Sequence, residues 1–239
     1  MKRAVQRKFV NKTFFILATI FLVTVAARAD LEIVQRASDT NAPFPATMRL
    51  RGDKLRLDQQ QNTNGGFVVI IDLTTRDSFT LLPKEKKFLK RSGAEILKNL
   101  ALDKNLFGGG TNELYLPSAP ARATGRIEPV GGYDTEIYSW SGAGGTTQTL
   151  WVAKGFPDYE RIRAELAKLD RFNAGGPHPG AQPELGSLPG MVVQSELPVG
   201  DRKIKIRLVS AKAAPLDAEL FAVPADYSPW VSPRQNSAK

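Results

Sequence analysis

The side chains able to do chemistry in this 239-residue chain are few, and their spacing is unhelpful to catalysis. There is no cysteine, which excludes disulfides, thiolate metal sites, cysteine nucleophiles and lipidated cysteine. The single histidine, His178, lies between Pro177 and Pro179 in a Gly/Pro-rich stretch, where a solvated loop residue is the ordinary reading and a positioned general base the rare one. A multi-histidine metal cage is excluded. No Gly-x-Ser-x-Gly elbow and no Gly-x-x-x-x-Gly-Lys phosphate loop occurs, and Gly108–Gly110 and Gly142–Gly145 read as turns. Asp53, Asp58, Asp72 and Asp77 could pair for glycoside hydrolysis at the right separation, but three of them fall at strand ends or turns, where aspartate is favoured structurally. Calcium-loop spacing is absent among them. No catalytic residue, metal site or cofactor is assigned.

Binding is better supplied. Lys84, Lys86, Lys87, Lys90 and Arg91 form the densest basic stretch. It suits an anionic membrane surface or an acidic envelope protein, and equally an edge strand kept soluble by lysines. Phe67, Ile71, Phe79, Trp140 and Trp151 lie on predicted strands and are the candidates for lining an apolar pocket; core packing is the competing fate of strand aromatics. Arg51-Gly52-Asp53 matches an adhesion tripeptide but reads as a strand-to-strand turn.

The elements that must position these residues are mostly strands. Thr47–Arg51 and Lys54–Asp58 alternate apolar and polar residues, so each has one buried face. Asn64-Gly65-Gly66 is a hairpin signal before Phe67–Leu73, whose continuous apolar run predicts cover on both faces. Ser78–Leu82 and Lys84–Lys90 continue the meander. Ser92 and Glu95 form a capping box that starts a helix with Ile96, Leu97 and Leu100 on its apolar face. Gly125–Val130, Asp134–Ser141 and Thr146–Ala153 are the next strands. A second helix has Pro157 in its first turn and Tyr159, Ile162, Leu166 and Leu169 along one side. Met191–Leu197 and Lys203–Val209 are the last clear strands, with a short one expected at Leu220–Val223. Residues 30–227 read as one domain and residues 228–239 as a flexible tail.

Charge and hydropathy predict export from the cytoplasm. Lysine and arginine number 33 and aspartate and glutamate 24, a net charge of +9. Residues 1–29 carry six of the bases and no acid, so the remainder is 27 − 24 = +3, and nucleic-acid binding loses its main support. Lys2, Arg3, Arg7, Lys8 and Lys12 precede an uncharged apolar run, Phe14 to Ala27, which is followed by Ala27-Arg28-Ala29. This is the three-part pattern of a signal peptide, with cleavage expected between Ala29 and Asp30, and the run is shorter than the about 20 residues a spanning helix needs. The expected product is a soluble periplasmic or extracellular protein.

Several segments together resemble the DUF4412 family of uncharacterised exported bacterial proteins. They are Gly52–Asp58, Val69–Arg76, Leu81–Lys86, Leu150–Lys154, Pro157–Tyr159, Leu188–Val193 and Pro215–Tyr227 with its Phe221-Ala222-Val223-Pro224. The resemblance implies the fold of the lipoprotein carriers LolA and LolB: mainly β, a curved antiparallel sheet or half-open barrel with two or so helices packed across it. It further implies a concave side able to hold a lipid or other hydrophobic ligand without catalysis. The alternative is an envelope scaffold that meets a protein partner and has no small-molecule ligand.

Overall fold

The computed structural model describes residues 30–37, 45–59, 66–95, 120–141, 147–174, 183–199 and 202–230. The expected signal segment, His178, both glycine runs at 108–110 and 142–145, and the apolar face at 96–100 lie outside the described residues.

Among the described residues, strands form one curved sheet. Leu31–Ala37 (β1), Pro45–Arg51 (β2), Lys54–Gln59 (β3), Phe67–Asp72 (β4), Ser78–Leu82 (β5) and Lys87–Arg91 (β6) make one antiparallel meander. Arg122–Val130 (β7), Tyr133–Ser141 (β8), Thr147–Ala153 (β9), Met191–Val199 (β10) and Arg202–Ala213 (β11) make a second. The two are joined where β1 pairs antiparallel with β11. A two-residue strand, Ser228–Pro229 (β12), runs parallel to β6. The order is β12-β6-β5-β4-β3-β2-β1-β11-β10-β9-β8-β7, so β7 and β12 are the two ends and the sheet does not close. The expected curved antiparallel sheet is present, and among the described residues it stays open, because its terminal strands β7 and β12 do not pair with each other.

Alternation sets the two faces. Leu31, Ile33, Leu50 and Leu55 are buried beneath the helix Tyr159–Ala174 (α1), whose Tyr159, Ile162 and Leu166 complete the same core. The helix begins two residues later than expected. Pro157 and Asp158 form the turn before it, and Asp158 has a φ of 55°. Residues 93–95 are helical, and the capping box is made in both directions: Glu95 N–H donates to Ser92 Oγ (3.1 Å) and Ser92 N–H to Glu95 Oε2 (3.0 Å).

The other face of β4–β6 carries a separate core of Val68, Ile70 and Leu81, covered by Val223 and Tyr227. The continuous apolar run of β4 is therefore covered on both sides, since Ile71 packs towards α1. The covering strap is the segment after β11. Asp30 anchors its start through Leu216 N–H (2.8 Å), and the Arg56 guanidinium donates to the Leu220 carbonyl farther along. The strand expected at Leu220–Val223 is instead a 3-10 turn, Ala218–Phe221, because Asp217 caps it by accepting from Glu219 N–H. Ser228 to Trp230, expected to open a flexible tail, are pinned: Ser228 N–H donates to Lys86 O (3.0 Å) and Trp230 N–H to Phe88 O (2.7 Å).

Candidate functional site

A groove of about 610 Å³ opens between the β7–β8 hairpin, β9 to β11 and the start of α1. Gly131 and Gly132, with φ of 61° and 85°, make the two-residue hairpin turn and bring Val130 and Tyr133 into register. Tyr133 lies against Phe156, ring centroids 5.2 Å apart, at the mouth beside Pro157 and Asp158. Trp151 on β9, Val193 on β10 and Leu208 on β11 continue the apolar wall. Two irregularities shape the floor. The β9–β10 register slips between Val192 and Gln194, and the β1–β11 register passes over Val209. Such bulges re-aim side chains, and Val209 is left 57% exposed at the groove.

The wall is also polar. Trp151 Nε1 donates to Glu128 Oε2 (3.2 Å). Arg207 Nε donates to Gln194 Oε1 (2.8 Å), and Gln194 is buried. Lys203 Nζ lies 2.9 Å from Glu196 Oε1, with Lys205 Nζ 3.9 Å from Glu196 Oε2. One side of the groove can therefore cover apolar surface while the other offers charge.

Next to the groove, α1 is locked to the chain that leads into β10. The Tyr159 hydroxyl donates to the Leu188 carbonyl (2.7 Å), and burial pushes its pKa up to about 12. Asp170 accepts from Leu185 N–H (3.1 Å) and Gly186 N–H (2.7 Å); burial raises its pKa despite those two bonds.

The five aromatic and aliphatic pocket candidates do not converge. Trp151 borders the groove. Ile71 packs on the α1-side core from β4, and Phe67, half-buried, sits two residues before Val69 on the same strand. Phe79 belongs to the opposite face, edge-on to Phe88 at 6.0 Å. Trp140 is 2% exposed in a third cluster with Tyr138, Leu150, Val152 and Leu188, and its Nε1 has no hydrogen-bond partner among the described residues. Glu128, Gln194, Val209 and Arg207 were not predicted; their strands were, but the register and bulges that group them have no local sequence signal.

The remaining candidates are placed as follows. Lys86 pairs with Asp226 at 2.9 Å, a hydrogen bond that raises the lysine pKa and lowers that of the aspartate. Lys90 sits over the Phe79 ring at 5.7 Å. Lys84, Lys87 and Arg91 are exposed. β6 is not a bare edge at Lys87 and Phe88, where β12 pairs with it. The aspartates hold structure. Asp58 binds Arg49 and Arg56, and Asp77 accepts from Gly93 N–H (2.9 Å). Asp72 accepts from Thr74 and Thr75 N–H (2.9 Å each), and the Thr75 bond leads the lowering of its pKa. Asp53 follows Gly52 (φ 57°) in the β2–β3 turn. Among the described residues no group of three or more histidine and acidic side chains could hold a metal, and no helix is long and apolar enough to cross a membrane.

Residues 36–227 match the model of a family described as a domain of unknown function, DUF4412. No curated protein matches. Among solved structures, an uncharacterized conserved protein from Thermus thermophilus superposes with a TM-score of 0.50 at 10% identity, covering 85% of this chain and 91% of that one. The Mycobacterium tuberculosis lipoprotein LppX gives 0.37 at 11% identity over 80% and 90% of the two chains. PNGF-II gives 0.40 at 15% identity over 87% of this chain and 32% of that one. The likeness to the Thermus protein is one of fold.

Proposed function

We propose, from the premise that the chain belongs to the DUF4412 family, that it is an exported, non-catalytic binding protein. It holds a lipid or another hydrophobic ligand in the groove on the α1-bearing face of its sheet. The carrying observation is the groove itself. Its volume of about 610 Å³ falls within the range of small-molecule pockets, and its lining sets apolar Val130, Tyr133, Phe156 and Leu208 beside polar Glu128, Gln194, Glu196 and Arg207, a mixed surface suited to an amphiphile. Each Å² of ligand surface removed from water there contributes about 25 cal/mol before the costs of association. Export rests on the basic, apolar and small-residue segments of residues 1–29. Native mass spectrometry with lipid extraction, on protein recovered after export in a bacterial host, tests the reading. A stoichiometric bound lipid is expected. A clean apo mass that stays unchanged with added fatty acids and phospholipids would refute it.

A second reading, a protein-interaction module of the cell envelope, is favoured by the outer strand β7. Among the described residues it ends the sheet, is exposed over nearly its whole length and leaves Ile127 77% exposed. Lys84, Lys87 and Arg91 supply an exposed basic surface for an acidic partner or anionic membrane at the opposite end. Charge reversal of these three residues should abolish envelope pull-down under this reading and leave lipid binding intact.

A further inference from the structure

Apolar burial alone leaves the charged side of the groove without a role. Arg207 lines it, and its Nε is held by Gln194, whose own burial fixes the acceptor. Among the described residues the two terminal nitrogens of Arg207 carry no partner. Its register partner across the β1–β11 seam is Arg36, exposed and, among the same residues, likewise without a carboxylate. Like charges set directly opposite on neighbouring strands repel. The nearby acids do not relieve them: Glu196 faces Lys203 and Lys205, and Glu128 accepts from Trp151. Asp158 lines the groove from the α1 side. A guanidinium held at Nε keeps a planar pair of donors for two oxygens of one anion, the geometry of a carboxylate or phosphate.

We infer that the groove recognises an amphiphile by its anionic head: Arg207, held by Gln194 and set beside Arg36, binds a carboxylate or phosphate whose apolar tail lies along Trp151 and Leu208. This rests on the groove-binding reading above and adds the class of head group. An uncharged lipid of the same chain length would lack that contact and leave the two arginines opposed.

The test is quenching of tryptophan fluorescence in the exported protein by three brominated probes of one chain length. They are a fatty acid, the matching fatty alcohol and a lysophosphatidate. A charge-assisted hydrogen bond at a partly exposed site corresponds to about tenfold in affinity. At least one anionic probe should therefore bind about tenfold tighter than the alcohol, and which one does identifies carboxylate or phosphate as the preferred head. Arg207→Gln should shrink that preference to about twofold, and added salt should shrink it in the unaltered protein. Equal binding of all three probes, or a preference that survives both Arg207→Gln and salt, overturns the head-group assignment alone. Binding of none of them overturns the apolar groove as well.

Discussion

Replacing Tyr159 with phenylalanine probes the lock between α1 and the segment entering β10. The hydroxyl lies 2.7 Å from the Leu188 carbonyl in a residue only 6% exposed. Removing it strands that carbonyl, a loss of about 1–3 kcal/mol at neutral pH. The same burial makes the contribution depend on alkaline pH. Tyrosine ionises near 10 when unfolded and near 12 here. The folded value is the higher one, so the stability is fully present below about pH 10 and declines as pH rises towards 12. A two-unit difference amounts to about 2.7 kcal/mol in full, and about 1.4 kcal/mol of it is gone at pH 11. Phenylalanine cannot ionise, so the stability gap between the two proteins should narrow by about that 1.4 kcal/mol between roughly pH 8 and 11. Urea unfolding followed by far-ultraviolet circular dichroism measures it, and the other tyrosines cancel in the difference. A gap that stays constant across this range, or no gap at pH 8, would refute the reasoning.

Other perturbations have distinct signatures. A methyl group added at Gly190 would sit 2.3 Å from the Ala153 carbonyl oxygen and 2.8 Å from Lys154 Cα, so Gly190→Ala should cost about 2–3 kcal/mol in a thermal melt, as backbone has little room to move. Trp151→Ala should weaken lipid binding, whereas Phe79→Ala, on the opposite face, should lower stability and leave binding unchanged; equal loss in both variants would place the ligand elsewhere. Tyr227→Ala, which uncovers Val68, Ile70 and Leu81, should lower the melting temperature. Lys86→Ala should not, because its pair with Asp226 is exposed on both sides.

Much of the fold was legible because its signals are local. The turn at Gly52-Asp53 and the alternation of Lys54–Asp58 are enough to define β3 and its buried face. The Ser92–Glu95 box marks a helix start by chemistry contained in four residues. Tyr159, Ile162 and Leu166 reveal the packed side of α1 by spacing alone. The groove was not legible in the same way. Trp140 and Trp151 are both strand aromatics, yet Trp151 faces Ile137 and Trp140 faces Gln148 in the register, three residues along β8 and hence on opposite faces. Arg207 becomes interesting only through Gln194 and Arg36, each on a different strand. Leu220 has the composition of a strand residue, but the Asp217 cap and the strap's path across the sheet decide its conformation.

The seam between β1 and β11 has a consequence for the order of folding. Each meander joins strands that follow one another in the chain, so either can form from nearby partners. The seam cannot, because Leu31 meets Ala213, and 213 − 31 = 182 residues separate them. Closing so long a loop precedes any gain from the contacts it makes, and such non-local pairings slow folding. The sheet is therefore completed only after almost the whole chain is available. The buried Leu31 and Ile33 remain without their β11 neighbours until then. On the export route proposed above, that delay keeps the centre of the sheet unassembled while the chain is still threaded through a narrow channel.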